Sequence, residues 1–144
     1  MAKFMELEVL SPSRTLVSRD DVVYVLLDTI NGGIGILANH APLLAALKEG
    51  PLKIQGTGGT ITIAYLEGGF AEVKDNKIVI LTPRAELAEN IDVEHYEQLQ
   101  QEARARLENP DALTDIEHTE KILRRAQARL KTVKLAQDPK GLQL

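Results

Sequence analysis

The sequence predicts a β + α chain: a β-sandwich, or flattened barrel, over residues 1–85, followed by an antiparallel two-helix hairpin over residues 86–144. Three observations carry this. Up to about Thr82 apolar residues recur with period two, turn signals separate the runs at regular spacing, and after Pro83 the period becomes that of a helix.

The elements follow in order. "KFMELEVLS" alternates Met5, Leu7 and Val9 with Phe4, Glu6 and Glu8, as a half-buried strand does. "SPSR" then turns the chain at Pro12. "VVYVLLD" is a β-branched run suited to a buried strand, and "NGG" at Asn31 to Gly33 supplies positive torsions for a tight hairpin. "LKIQG" and "TITIAYLEGG" are joined by Thr57-Gly58-Gly59-Thr60, and "FAEV" and "KIVILT" by "KDN". In the second part Tyr96, Leu99, Ala103 and Leu107 repeat at helical spacing, as do Ile116, Leu123, Ala126, Leu130 and Val133. Asn109-Pro110 stops the first helix, and Thr114 with Glu117 matches a capping box for the second. These stripes are narrow and alanine-rich, so docking of the hairpin is expected to be weak and reversible.

Charge divides the two helices. Glu86 to Glu102 contains six acids and no Lys or Arg, whereas Lys121 to Lys134 contains six basic residues and no acid. Antiparallel packing sets the acidic start beside the basic end, and both placements suit the helix dipoles. Two readings stay open: the charges simply solvate and cross-link the hairpin, or, because surface pairs are individually weak at about 0.2–1 kcal/mol, the basic helix exchanges its internal partners for a denser acidic surface on an outside partner.

Composition excludes several classes. The 144 residues include no Cys, carry a net charge of -4 and are only 3% aromatic. Cysteine-ligated zinc and disulfides are ruled out, and no basic or stacking surface for nucleic acid is expected. Met1 to Leu10 lacks the uninterrupted apolar run of a signal peptide or membrane span. His40, His95 and His118 lie in three separate segments without metal-ligand spacing, and no GxxxxGK[ST] loop is present. "GTGGT" is followed by a strand rather than a helix, so it reads as a hairpin turn. No catalytic residue and no metal site are assigned; a binding or regulatory module is expected.

"GGIGILANHAPLLAALKEGPLKI" resembles the segment G-x-x-G-I-x-x-x-H-A-P-L-L-x-x-L-x-x-G-x-x-x-I characteristic of the epsilon subunit of bacterial and chloroplast F-type ATP synthases. "YLEGGFAEVKDNKIVIL" is similar to that family's second signature, and "AELAENIDVEHYEQLQQEARARL" and "ILRRAQARLKTV" look like its two C-terminal helices. The resemblance implies that the sandwich is ten-stranded, the hairpin mobile, and the whole a non-catalytic rotor subunit of the central stalk. Its sandwich would bind the gamma subunit and rest on the ring of c subunits, coupling proton flow to ATP synthesis. Its helices would either fold against the sandwich or extend beside gamma to the beta and alpha subunits, hindering ATP hydrolysis. A purely structural coupling piece is the alternative. The implied location is peripheral, without membrane insertion, on the cytoplasmic face of the bacterial inner membrane, or on the stromal thylakoid face for a plastid-encoded chain.

The resemblance also assigns residues. Gly33, Ile34, Ile36, Leu37, His40 and Pro42 are expected to meet gamma or the c ring, although an acidic residue common in the family is replaced here by Gly33. Arg124, Arg125, Arg129, Lys131 and Lys134 are expected to meet an acidic segment of beta. Some family members bind ATP through I/L-D-x-x-R-A with arginines of the second helix. This chain keeps Ile91 and Asp92, with Glu86, Arg125 and Arg129 at the remaining positions, but has His95 and Tyr96 where Arg and Ala belong. No cofactor is therefore expected, and ATP as a regulatory ligand is disfavoured.

Overall fold

Three strands of 14 or 15 residues, far longer than the sequence runs that predicted them, organise the molecule. The computed structural model describes residues 3–138. The strands are β1 Met5–Leu10, β2 Thr15–Thr29, β3 Gly32–Leu37, β4 Leu43–Gly56, β5 Ile61–Lys74, β6 Lys77–Leu81 and β7 Ala85–Leu87; the helices are α1 Val93–Glu108 and α2 Ile116–Gln137. The expected ten strands are thus seven. The physical reason is continuity of the backbone ladder: β2, β4 and β5 each bend and run from one layer of the sandwich into the other.

Their pairings show this. The second half of β2 lies between β3 and β4, while the first half of β5 lies between β4 and β7. The first half of β2 instead pairs with β1, which runs parallel to β6, and β6 pairs with the second half of β5. Register shifts in β2, between Val22 and Tyr24 and between Leu27 and Thr29, mark where it bends. In β5 the bend falls at Gly68 and Gly69, with φ of 80° and 107°. "TITIAYLEGG" and "FAEV" are therefore one strand, and the glycines between them are a corner rather than an end.

Between the layers sits one core, with Leu7, Val9, Val25, Ile36, Ile54 and Ile80 among its fully buried members. Each such side chain contributes roughly 1.5–3 kcal/mol by leaving water. Alternation along the strands sends the neighbouring residues to the two outer faces.

The turns hold their expected places with altered details. Ile30-Asn31 connects β2 to β3, and only Gly32 takes positive φ there. The Thr29 hydroxyl closes that turn, donating to the Gly32 carbonyl and accepting from Asn31 N–H. The Thr57–Gly59 turn is a 3-10 segment pinned by Arg19, whose guanidinium forks onto Asp21 at 2.9 Å and reaches Thr60. That hydrogen bond holds the Asp21 carboxyl down to about 2.

Asp92 and Asp115 cap the helices, accepting from His95 N–H and His118 N–H. The second cap lies one residue beyond the predicted Thr114. Thr114 is engaged with Asp111 in the preceding turn, which leaves the adjacent Asp115 to take up the free amides.

Candidate functional site

The outer face of the layer built from the first half of β5 is covered by α2. Ile61, Ile63, Ala88 and Leu135 form one small apolar contact; Tyr65, Ile91, Ala128, Tyr96 and Val133 form a second. The hairpin is thus docked, with α1 lying on α2. The deepest positions of α2 are Thr119, Ala126, Ala128, Arg129, Thr132 and Leu135. The predicted stripe overlaps this set only at Ala126, because three of the buried residues are polar. The threonines are satisfied locally: Thr119 and Thr132 donate to the carbonyls of Asp115 and Ala128 at 2.7 and 2.8 Å.

Charge at this interface runs differently from the expectation. No ion pair among the described residues joins α1 to α2. The bases of α2 pair with acids of the sandwich. Arg124 reaches Glu49 at 3.0 Å; Arg125 lies 3.5 Å from both Glu49 and Glu67; Arg129 lies 3.3 Å from Glu67 and 3.6 Å from Glu86. Lys131 comes within 3.9 Å of Asp28. The acidic residues of α1 stay exposed, because that helix turns them away from the interface. Sequence reasoning missed Glu49, Glu67 and Asp28, since strand acids scattered over β2, β4 and β5 show no local pattern.

Arg129 is the centre of the site. It is only 4% exposed, and its guanidinium lies 4.3 Å from the Tyr65 ring centroid and 4.6 Å from that of Tyr96. Its Nε makes no hydrogen bond. Burial pushes the Tyr65 hydroxyl up, and that hydroxyl donates to Glu67 at 3.4 Å. Of the residues assigned to nucleotide, Glu86, Arg125 and Arg129 therefore do converge, with Ile91 buried beside Tyr65. They converge on one another and on Tyr96, while Asp92 is occupied in capping α1.

The predicted partner segment divides. Gly33, Leu37, His40 and Pro42 are exposed at and after the edge strand β3, where His40 Nδ1–H donates to the Ala41 carbonyl at 2.6 Å and braces the turn. Ile34 is half-buried against the core. Ile36 is fully buried, a correction to its expected place on the surface: the period of β3 turns it inward opposite Val25.

A larger surface escaped the sequence reading. On the outer face away from α2, Phe70 is 57% exposed and lies in register between Ala46 and Leu81, itself 53% exposed. Leu10, Pro12 and Pro83 extend this into an apolar trough. Leu44, 72% exposed, lies two residues from Ala46 on the same strand. A contiguous apolar face of this kind marks an interaction site. Its only sequence signal was an apolar residue on the polar phase of a strand, as at Phe70 and Leu81.

Residues 4–88 match the family model described as ATP synthase, Delta/Epsilon chain, beta-sandwich domain. The ATP synthase epsilon chain of Lawsonia intracellularis is 43% identical over 107 residues, covering 74% of this chain and 79% of that one. That of Desulforamulus reducens is 40% identical over 107 residues, covering 74% and 80%. Among solved structures, a chain from the Euglena gracilis mitochondrial ATP synthase OSCP/F1/c-ring assembly has the same fold, with a TM-score of 0.75 at 24% identity, covering 97% of this chain and 83% of its own. This chain belongs to the ATP synthase epsilon-chain family, whose members are accessory rather than catalytic subunits.

Proposed function

We propose that the sandwich is the rotor-gripping body of an F-type ATP synthase and that the α1–α2 hairpin is its regulatory arm. The neighbours of like fold come from assemblies described as F1 with c-ring and as central stalk with c-ring, which supports the same placement for this chain. Within it, the Phe70–Leu81 face would take the gamma subunit, and Gly33, Leu37, His40 and Pro42 would face the c ring. No described helix is long and apolar enough to cross a membrane, which suits a peripheral position at the cytoplasmic face.

The observation that carries the regulatory reading is that α2 is held by the charges it would use elsewhere. Arg124, Arg125, Arg129 and Lys131 face Glu49, Glu67, Glu86 and Asp28, so an acidic surface on beta competes with the sandwich for the same bases. Lys134 is exposed without an ion pair and is available in either state. Replacing all five with alanine would undock the helix and remove its charge together. Deletion of everything after Ala88 isolates the arm. In the assembled enzyme this truncation is expected to leave proton coupling intact and raise ATP hydrolysis about 5-fold or more, the lower end of ordinary coupling energies. Unchanged hydrolysis would favour the purely structural reading.

Nucleotide is not needed to close this arm. Arg125 and Arg129 already face carboxylates, and Tyr96 lies over the Arg129 guanidinium. Titration of the full chain with millimolar Mg-ATP is therefore expected to give no binding heat and no change in α2 protection; a micromolar isotherm would overturn this.

A further inference from the structure

One guanidinium joins three bodies. Arg129 projects from α2, Tyr65 and Glu67 belong to β5, Glu86 belongs to β7, and Tyr96 belongs to α1. We propose that this stack makes separation of α1 from α2 and departure of α2 from the sandwich one cooperative event, gated by Tyr96.

The argument is electrostatic. A cation over an aromatic face gains most when water is excluded, and an ion pair strengthens as the surrounding dielectric falls. Tyr65 and Tyr96 both cover the guanidinium, which leaves Arg129 almost wholly out of water. Lifting α1 removes one shield and wets the guanidinium. The pairs with Glu67 at 3.3 Å and Glu86 at 3.6 Å then weaken, although both acids belong to the sandwich strands β5 and β7. Lifting α2 conversely takes Arg129 from both acids and from Tyr65, and Tyr96 loses the buried cation on which it rests. The lock is also shallow. The buried Arg129 Nε, 3.6 Å from Glu86 but without a hydrogen bond, recovers only part of its desolvation cost, which lowers what the docked arm gives up when it leaves. Tyr96 therefore acts as a positioning residue for docking through Arg129, and the inference stands on the docked geometry whether or not the arm inhibits hydrolysis.

Hydrogen exchange of the full chain tests this. Tyr96→Ala is expected to speed exchange of α2 amides over residues 121–135 by about 5–30-fold while the sandwich strands keep their protection. Tyr96→Phe retains the ring face and is expected to stay within about twofold of the parent. Combined with Glu86→Gln, Tyr96→Ala should fall short of the product of the two single effects by about threefold or more. Faster exchange confined to α1, equal damage from the Phe variant, or effects that simply multiply would each overturn the proposal; protection retained in the strands shows that the variants are folded.

Discussion

Gly69→Ala is expected to destabilise the sandwich by about 3–5 kcal/mol, a large share of the stability of an ordinary domain. Two costs combine. Gly69 holds φ of 107°, a region that side chains rarely enter, and its missing Cβ leaves room for backbone of the next strand. An added methyl would run into the Leu81 carbonyl oxygen and stand 2.8 Å from the Thr82 Cα. Neither is a flexible side chain, so nothing can swing aside. Strain of about 1–3 kcal/mol and an overpacking cost of similar size follow. Gly32→Ala is the matched control: φ there is 119°, but the space beside it is open, so only the strain remains. Urea unfolding of both variants should rank them in that order; equal midpoints would show that β5 does not depend on this close approach at its corner.

The same position shows where sequence reading ran out. Period two located Met5, Leu7 and Val9 in the core without error, because alternation is a local property of a half-buried strand. Whether a strand stops at two glycines or bends through them is not local. It depends on which neighbour takes up the ladder on the far side, and here β6 and the start of β4 pair with β5 beyond Gly69. The ten strands implied by the resemblance are therefore seven among the described residues. The docking of α2 was hidden for a related reason. A stripe of apolar letters finds contacts made by hydrocarbon, whereas α2 lays Arg129 and Thr132 on the sandwich, a cation covered by aromatic rings and a hydroxyl satisfied within its own helix. The arginines were legible as a group through their resemblance to the family and through the charge run. Of their partners only Glu86 was, through the family motif; Glu49 and Glu67 join it only when β4, β5 and β7 pair.

Phe70→Ser combined with Leu81→Ser is expected to weaken binding to gamma at least 100-fold while costing the isolated protein no more than about 1 kcal/mol. The asymmetry follows from which water each side chain meets. In the free chain Phe70 and Leu81 are more than half exposed, so their removal forfeits only the cross-strand contact between them, about 0.2–1 kcal/mol. In a complex the same atoms would lie at the centre of an apolar patch, where truncation of an anchor costs about 2 kcal/mol or more each. Neither residue belongs to the apolar clusters or ion pairs that hold α2, so protection of the hairpin should not change. Calorimetry with purified gamma reads the affinity, and thermal unfolding reads the stability. Retained affinity would move the gamma contact to the β3 edge around Leu37, His40 and Pro42, where main-chain groups rather than side chains would have to carry it. That edge offers Leu37 and the turn residue Ile30, but Ile36 is spent inside the core and Gly33 has no side chain to add. An interface tight enough to turn with the rotor needs a buried apolar centre, and under the proposed assignment the Phe70–Leu81 face would supply it.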